Sequence, residues 1–200
     1  MKRSETYELI VQKAETLFRR FGMMKTPVAD IARALNMSPA NIYKFFPSKR
    51  AIIEAVGSRK MLRLQQHLLA VTKSRKSAFE RIKDLMFCVA THLEFSMESE
   101  SDLLFVEIIR DMMQFEMARR EKDWVFIKEF HAFLRNELAK LIKDGVASGE
   151  MHVPDPEDAA AALLDCLSRA IEPFLLLEDP QPARAQRLER QFRLLARALA

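Results

Sequence analysis

The side chains best suited to chemistry in this 200-residue chain cluster between Thr26 and Lys49. Asn41 and Lys44 stand three residues apart, a spacing that puts them on one face of a helix. An asparagine amide can bond both N6 and N7 of adenine, and a lysine can reach guanine O6 and N7 or a phosphate. Ala40 has the size to meet a thymine methyl. Tyr43 and Thr26 bring hydroxyls that could donate to phosphate. Ser38-Pro39 opens the segment with a cap followed by proline, a helix start whose backbone N–H groups and positive dipole end suit an anion. Lys49, just past a second cap at Ser48, would put a cation where a duplex backbone enters. Recognition of double-stranded DNA is the chemistry these groups share. The alternative for Tyr43 is a packing residue with its hydroxyl in water; for Lys44 and Lys49 taken singly it is a solvated charge.

Bond-making chemistry finds no comparable grouping. His67, His92, His131 and His152 are scattered, with no i, i+4 pair to hold a metal. There is no glycine-rich phosphate loop, and no Ser, Cys or His stands in a nucleophile motif. Cys88 and Cys166 lack metal-ligand spacing and read as reduced, buried core residues. The acidic run Glu98-Ser99-Glu100-Ser101-Asp102 reads as a helix–helix loop before a cation site. Neither a metal nor any other cofactor is expected, and the chain does not read as an enzyme.

Charge supports the nucleic-acid reading. Residues 1–50 hold ten Lys or Arg against four Asp or Glu, while residues 51–200 hold 22 against 24. A basic first quarter on a near-neutral body suits a polyanion-binding module with a carrier domain. No apolar run reaches the ~18–20 residues of a membrane helix, and MKRSETYE lacks the apolar stretch of a secretory signal. A cytoplasmic protein without a membrane partner is expected.

The elements that must position these residues are helices. Only 4 Gly and 8 Pro accompany 49% hydrophobic and 30% charged residues, which fits an all-α fold and argues against a β-sandwich. Ile10, Ala14, Leu17, Phe18 and Phe21 form one face of a helix over residues 5–21, stopped by Gly22. Thr26 as N-cap with Pro27 at the first helical position opens a second helix, whose inner face is Val28, Ile31, Ala32 and Leu35. A third helix is expected over residues 39–46 and a fourth over residues 49–71. Helices two and three, joined by a short turn, fit a helix-turn-helix. Such a crossing needs a small residue where the helices touch, here Ala32. It also needs a residue tolerant of positive φ in the turn, here Asn36. Ile31, Leu35, Met37, Ile42 and Phe45 supply its apolar surround. A generic helical hairpin is the alternative.

The run TPVADIARALNMSPANIYKFFPSK, preceded by AETLFRRFG, resembles the N-terminal DNA-binding domain of TetR/AcrR-type bacterial transcriptional regulators over about residues 7–56. The resemblance implies an all-α homodimer, most often a repressor, with a variable C-terminal domain that binds an effector and dimerises. Thr26, Ser38, Asn41, Tyr43, Lys44 and Lys49 match DNA-contacting positions of that family. Asn36 and Ala40 stand where Gly is commoner, and Phe45 where His or Tyr is frequent. The expected division is a DNA-binding domain over 1–48, a connecting helix over 49–72 and an effector and dimerisation domain over 73–200.

The rest of the chain is less specific. Residues 79–133 hold eight of the 14 Phe and five of the 11 Met, an enrichment that suits an adaptable apolar pocket. Met86, Phe105, Ile109, Met112, Trp124 and Phe130 are the candidates, each with an ordinary core position as its alternative. Arg110, Asp111 and Glu107 could place a charge at its mouth. Asp155-Pro156-Glu157-Asp158 starts a helix, which Pro173 should later kink. Ala160, Leu164 and Leu167 with Leu188, Phe192 and Leu195 mark stripes on the final two helices that would pair across a two-fold axis. Alternatively both stripes face their own subunit's core. The leading expectation is a homodimer that binds a palindromic operator and releases it when a small apolar effector binds. The alternative is a helical DNA-binding or protein-interaction module without an effector.

Overall fold

A computed structural model of the chain describes residues 3–95, 124–166 and 183–199. Among these every regular element is an α-helix, as the composition predicts: α1 (Arg3–Phe21), α2 (Val28–Ala34), α3 (Pro39–Tyr43), α4 (Lys49–Thr72), α5 (Ala78–Phe95), α6 (Val125–Ala147), α7 (Pro156–Cys166) and α8 (Ala183–Leu199). No described helix is long and apolar enough to cross a membrane. Phe105, Ile109, Met112, Leu167, Pro173, the charged trio 107–111 and the acidic run 98–102 lie outside the described residues.

The chain divides into two compact units, and the division falls inside α4, between Leu62 and Arg63. The first unit is built on α1, whose buried stripe is Ile10, Val11, Ala14 and Phe18. Gly22 ends that helix at φ 82, and its N–H donates to the Phe18 carbonyl at 2.9 Å. Phe21 differs from the expected inner face. It is exposed, with the Arg20 guanidinium 5.1 Å from its ring centroid. Ile31, Ala32, Ile42, Phe46, Ile52 and Val56 complete the core of this unit.

Residues 124–126 also belong to the first unit, packed against the start of α4. A Cβ on Gly57 would stand 2.6 Å from the Phe126 ring, so only glycine lets that ring lie on α4. The Phe126 N–H donates to Glu54 Oε1 at 2.9 Å, which satisfies one of the open donors at the start of α6. Trp124 is 2% exposed, with the Arg50 guanidinium 4.5 Å from its ring centroid.

The second unit centres on Leu68, Ile82, Leu85, Met86, Val89, Leu134, Leu138 and Ile142, all buried. The start of α5 is held twice. Ser77 and Glu80 form a reciprocal capping box, at 3.2 and 3.0 Å. The Glu150 carboxylate accepts from the Ala78 and Phe79 N–H groups at 2.8 and 3.1 Å. Burial alone would raise the Glu150 carboxyl. The Phe79 and Ala78 N–H groups, the Ser77 hydroxyl and Arg81 outweigh it and hold the group below its ordinary value. At the end of α6, Gly149 takes φ 74 while the Glu150 N–H bonds the Gly145 carbonyl at 2.8 Å. Asp155 caps α7 as its sequence predicts, accepting from Glu157 and Asp158 at 3.0 and 3.1 Å.

Two expectations fail in this unit. The cysteines are not core residues: Cys88 is half-buried and Cys166 is exposed. The stripes Ala160, Leu164, Leu188 and Phe192 are buried within the subunit itself, and Leu195 is half-buried. An apolar stripe reports that a face is covered, not by what; here the subunit's own core covers it.

Candidate nucleic-acid interface

The turn after α2 is built by hydrogen bonds that only one backbone path allows. The Met37 N–H donates to the Ala32 carbonyl at 2.9 Å, and the Asn36 N–H to the Arg33 carbonyl at 3.1 Å. This pair of bonds satisfies the last carbonyls of α2 and requires a left-handed residue between them. Asn36 is that residue, at φ 54. Ala32 is fully buried, as the helix crossing requires.

Ser38 then caps α3 with φ −80 and ψ 150, its Oγ accepting from the Asn41 N–H at 3.2 Å. Pro39 at the first position has no N–H to offer, so this helix start presents fewer donors to an anion than its sequence suggests. The helix is also shorter than expected, ending at Tyr43 rather than residue 46. Ile42 and Phe46 anchor it from beneath, and the Phe46 ring stacks on Tyr7 at 4.6 Å. Burial, and next the Glu8 charge, raise the Tyr7 phenol above its ordinary value.

Anchoring of this kind fixes what faces outward. Ser38, Pro39, Ala40, Tyr43 and Lys44 are exposed in one stretch, with Asn41 half-buried among them. These six predicted residues are brought together.

Thr26 and Lys49 are placed otherwise. Pro27, not Thr26, takes the N-cap position of α2, at φ −73 and ψ 157. Thr26 is 1% exposed, and its hydroxyl donates to the Gly22 carbonyl at 2.8 Å. A phosphate accepts and does not donate, so a hydroxyl whose proton is already engaged and buried is corrected from phosphate contact to loop anchor. Lys49 is the first residue of α4, behind Ser48, whose Oγ accepts from the Ala51 N–H at 3.1 Å. Its Nζ donates to the Met24 carbonyl at 3.2 Å. Both residues therefore hold the loop that leads into α2. Sequence spacing gave no sign of this, nor of Lys25, an exposed cation on the same loop.

Of the pocket candidates, Met86, Trp124 and Phe130 lie among the described residues. Met86 and Phe130 are buried in the second unit and Trp124 in the first. None of them lines the open cleft of about 500 Å³ found at Phe87 and α8. No group of His, Cys, Asp or Glu that could hold a metal occurs among the described residues.

Comparison with known proteins places this geometry. Residues 10–56 match the model of bacterial regulatory proteins of the tetR family. Residues 101–190 match that of the tetracyclin repressor-like C-terminal domain. No curated protein matches the chain. Among solved structures, a TetR-family transcriptional regulator from Pectobacterium atrosepticum is similar at a TM-score of 0.70 and 18% identity, covering 100% of this chain and 96% of that one. The transcriptional regulator FadR from Bacillus subtilis, in complex with stearoyl-CoA, is similar at 0.64 and 18% identity, covering 97% and 100%. FadR from Thermus thermophilus, a TetR-family repressor in complex with lauroyl-CoA, is similar at 0.65 and 21% identity, covering 94% and 92%. At these identities the likeness is one of fold.

Proposed function

We propose, because the chain belongs to the TetR family of bacterial transcriptional regulators, that it is a homodimeric repressor which reads a short palindromic operator and leaves it when a small apolar ligand binds. The family's regulators are DNA-binding repressors, some of them ligand-responsive. One observation carries the DNA reading: Ser38, Pro39, Ala40, Tyr43 and Lys44 are exposed together behind a turn fixed by the Asn36 and Met37 hydrogen bonds.

In this proposal α3 enters the major groove. Asn41 pairs with an adenine, Ala40 meets a thymine methyl, and Lys44 takes a guanine or a phosphate. Tyr43 and Ser38 donate to phosphate. Lys49 offers an ammonium with three donors, so a phosphate can share it with the Met24 carbonyl. Thr26 acts through the loop it anchors.

The dimer is proposed through the outward faces of the last two helices, since their apolar stripes are already covered. Asp158, Ala162, Asp165 and Cys166 are exposed on one face of α7, a helix without a basic residue. α8 carries five arginines and one glutamate, and it exposes Leu194 (70%), Arg197 and Ala198. A two-fold axis that sets α7 of one protomer against α8 of its partner joins opposite charges, with small residues allowing close approach. The acyl-CoA held by two of the similar proteins supports an apolar ligand. A regulator without an effector is favoured by a different observation, the complete burial of Met86 in the core of the second unit.

A gel shift with DNA from upstream of the protein's own gene tests the operator reading. A dimer neutralising ~6–10 phosphates gives a log–log salt slope of about −5 to −9, and a slope near −1 contradicts specific DNA binding. Sedimentation at micromolar concentration tests the dimer.

A further inference from the structure

We infer that the open cleft between α5 and α8 is a binding site for an organic anion, its acidic head held by Arg190 and Arg193 and its apolar body lying on Phe87 and Ala185. The inference is independent of the operator reading and of the effector pocket expected around Met86 and Phe130.

The cleft measures about 500 Å³, within the range of small-molecule sites. Phe87 lines it from α5, and Ala185, Gln186, Glu189, Arg190 and Arg193 from α8. The charge on its wall is unbalanced in an informative way. Glu189 and Arg193 have the i, i+4 spacing at which a carboxylate and a guanidinium normally pair on a helix. Glu189 instead pairs with Lys83 of α5 at 3.0 Å. Arg190 and Arg193 are exposed, and neither pairs with a described carboxylate. Three residues apart on one helix, they repel each other, and an anion between them removes that repulsion.

The chemistry of the lining narrows the ligand. Lys83 also stands 5.5 Å above the Phe87 ring, so three cations face one carboxylate around the cleft. Guanidinium forks favour the planar oxygens of a carboxylate or the oxygens of a phosphate monoester. The Phe87 ring and the Ala185 methyl offer nothing to an inorganic ion, but they can remove an alkyl or aryl group from water. An apolar tail with an acidic head satisfies both walls.

Calorimetry on the full chain without DNA tests this, using sodium octanoate, octyl phosphate, octanol and inorganic phosphate as probes. Octanoate and octyl phosphate are expected to bind, and the relative strength of the two distinguishes a carboxylate site from a phosphate site. Octanol and inorganic phosphate are expected to show no saturable heat. Arg190→Gln and Arg193→Gln each weaken the organic anions by about tenfold or more. Arg197→Gln removes the same charge from the same helix outside the lining, and is expected to change affinity by less than about threefold. Absence of binding overturns the inference. So does octanol binding as tightly as octanoate, or Arg197→Gln weakening octanoate as much as Arg193→Gln. Arg190→Gln and Arg193→Gln in the gel shift keep their operator affinity, so loss of the anion site and failure of the DNA reading are separate results.

Discussion

The turn region of the first unit and the helix corner of the second are held by polar contacts of different reach. Around the turn the bonds have the shorter reach. Ser38 to Asn41, Thr26 to Gly22 and Lys49 to Met24 join residues three, four and 25 positions apart. In the second unit the equivalent bonds span the domain. Arg81 to Asp144, Ala78 to Glu150 and Lys83 to Glu189 join residues 63, 72 and 106 positions apart. A surface fixed by local bonds keeps its shape when distant parts of the chain move. One fixed by long-range bonds is sensitive to anything that shifts one helix against another. That division suits the proposed function, in which the first unit reads an operator and the second answers a ligand.

The largest test of this contrast is Ile42→Ala. Ile42 is fully buried beneath α3, and its truncation is expected to destabilise the first unit by about 2–5 kcal/mol in urea melts. Operator binding should fall with it while octanoate binding persists; equal loss of both activities would mean that the two units fold as one. Gly57→Ala comes next. The added methyl meets the Phe126 ring, with an expected cost of about 1–3 kcal/mol of overpacking. A neutral result in thermal melts would show that the ring is free to move off α4.

Asn41 and Lys49 sharpen the contrast within the head. Asn41→Ala is expected to lose ~1–3 kcal/mol on the preferred operator and to relax preference at one position per half-site. Lys49→Ala should weaken a panel of operator variants alike and lower the salt slope by about one unit per subunit. If Lys49→Ala reorders the panel while Asn41→Ala merely scales it, α3 does not lie in the groove. The smallest effect is expected at Glu150. Its folded carboxyl lies below its ordinary value, so the stability it lends is present above the unfolded value and is lost as pH falls through the depressed one. Glu150→Gln should therefore flatten the acid limb of the stability–pH curve; an unchanged acid limb would remove Glu150 from the α5 cap.

The same difference of reach explains what was legible in the sequence. Ala32, Asn36 and Ser38 occupy positions where backbone geometry admits few residue types, and each was found in its expected place. Thr26 was misplaced because Thr-Pro resembles a cap-then-proline start; the proline itself took the extended cap position and freed the hydroxyl to turn back to α1. In the second unit periodicity marked apolar faces on α7 and α8 and left two coverings open, a partner or the subunit's own core; Ala160, Leu164, Leu188 and Phe192 are buried within the subunit. Nothing in a stripe records whether the helix across it comes from the same chain. The Lys83–Glu189 pair, which leaves Arg193 without a carboxylate among the described residues, has no local signature at all.

The unequal exposure of the two cysteines gives the protein a chemical handle. The Cys88 thiol is raised by burial and then by Asp84, so little of it is thiolate near neutral pH. Cys166 is exposed on the α7 face that is proposed to meet the partner. A maleimide dye is therefore expected to attach at Cys166 before Cys88 in the free protomer, and to be excluded from Cys166 once the proposed dimer covers that face. The labelling rate measured against protein concentration would then follow assembly in solution, with no cysteine introduced by mutation.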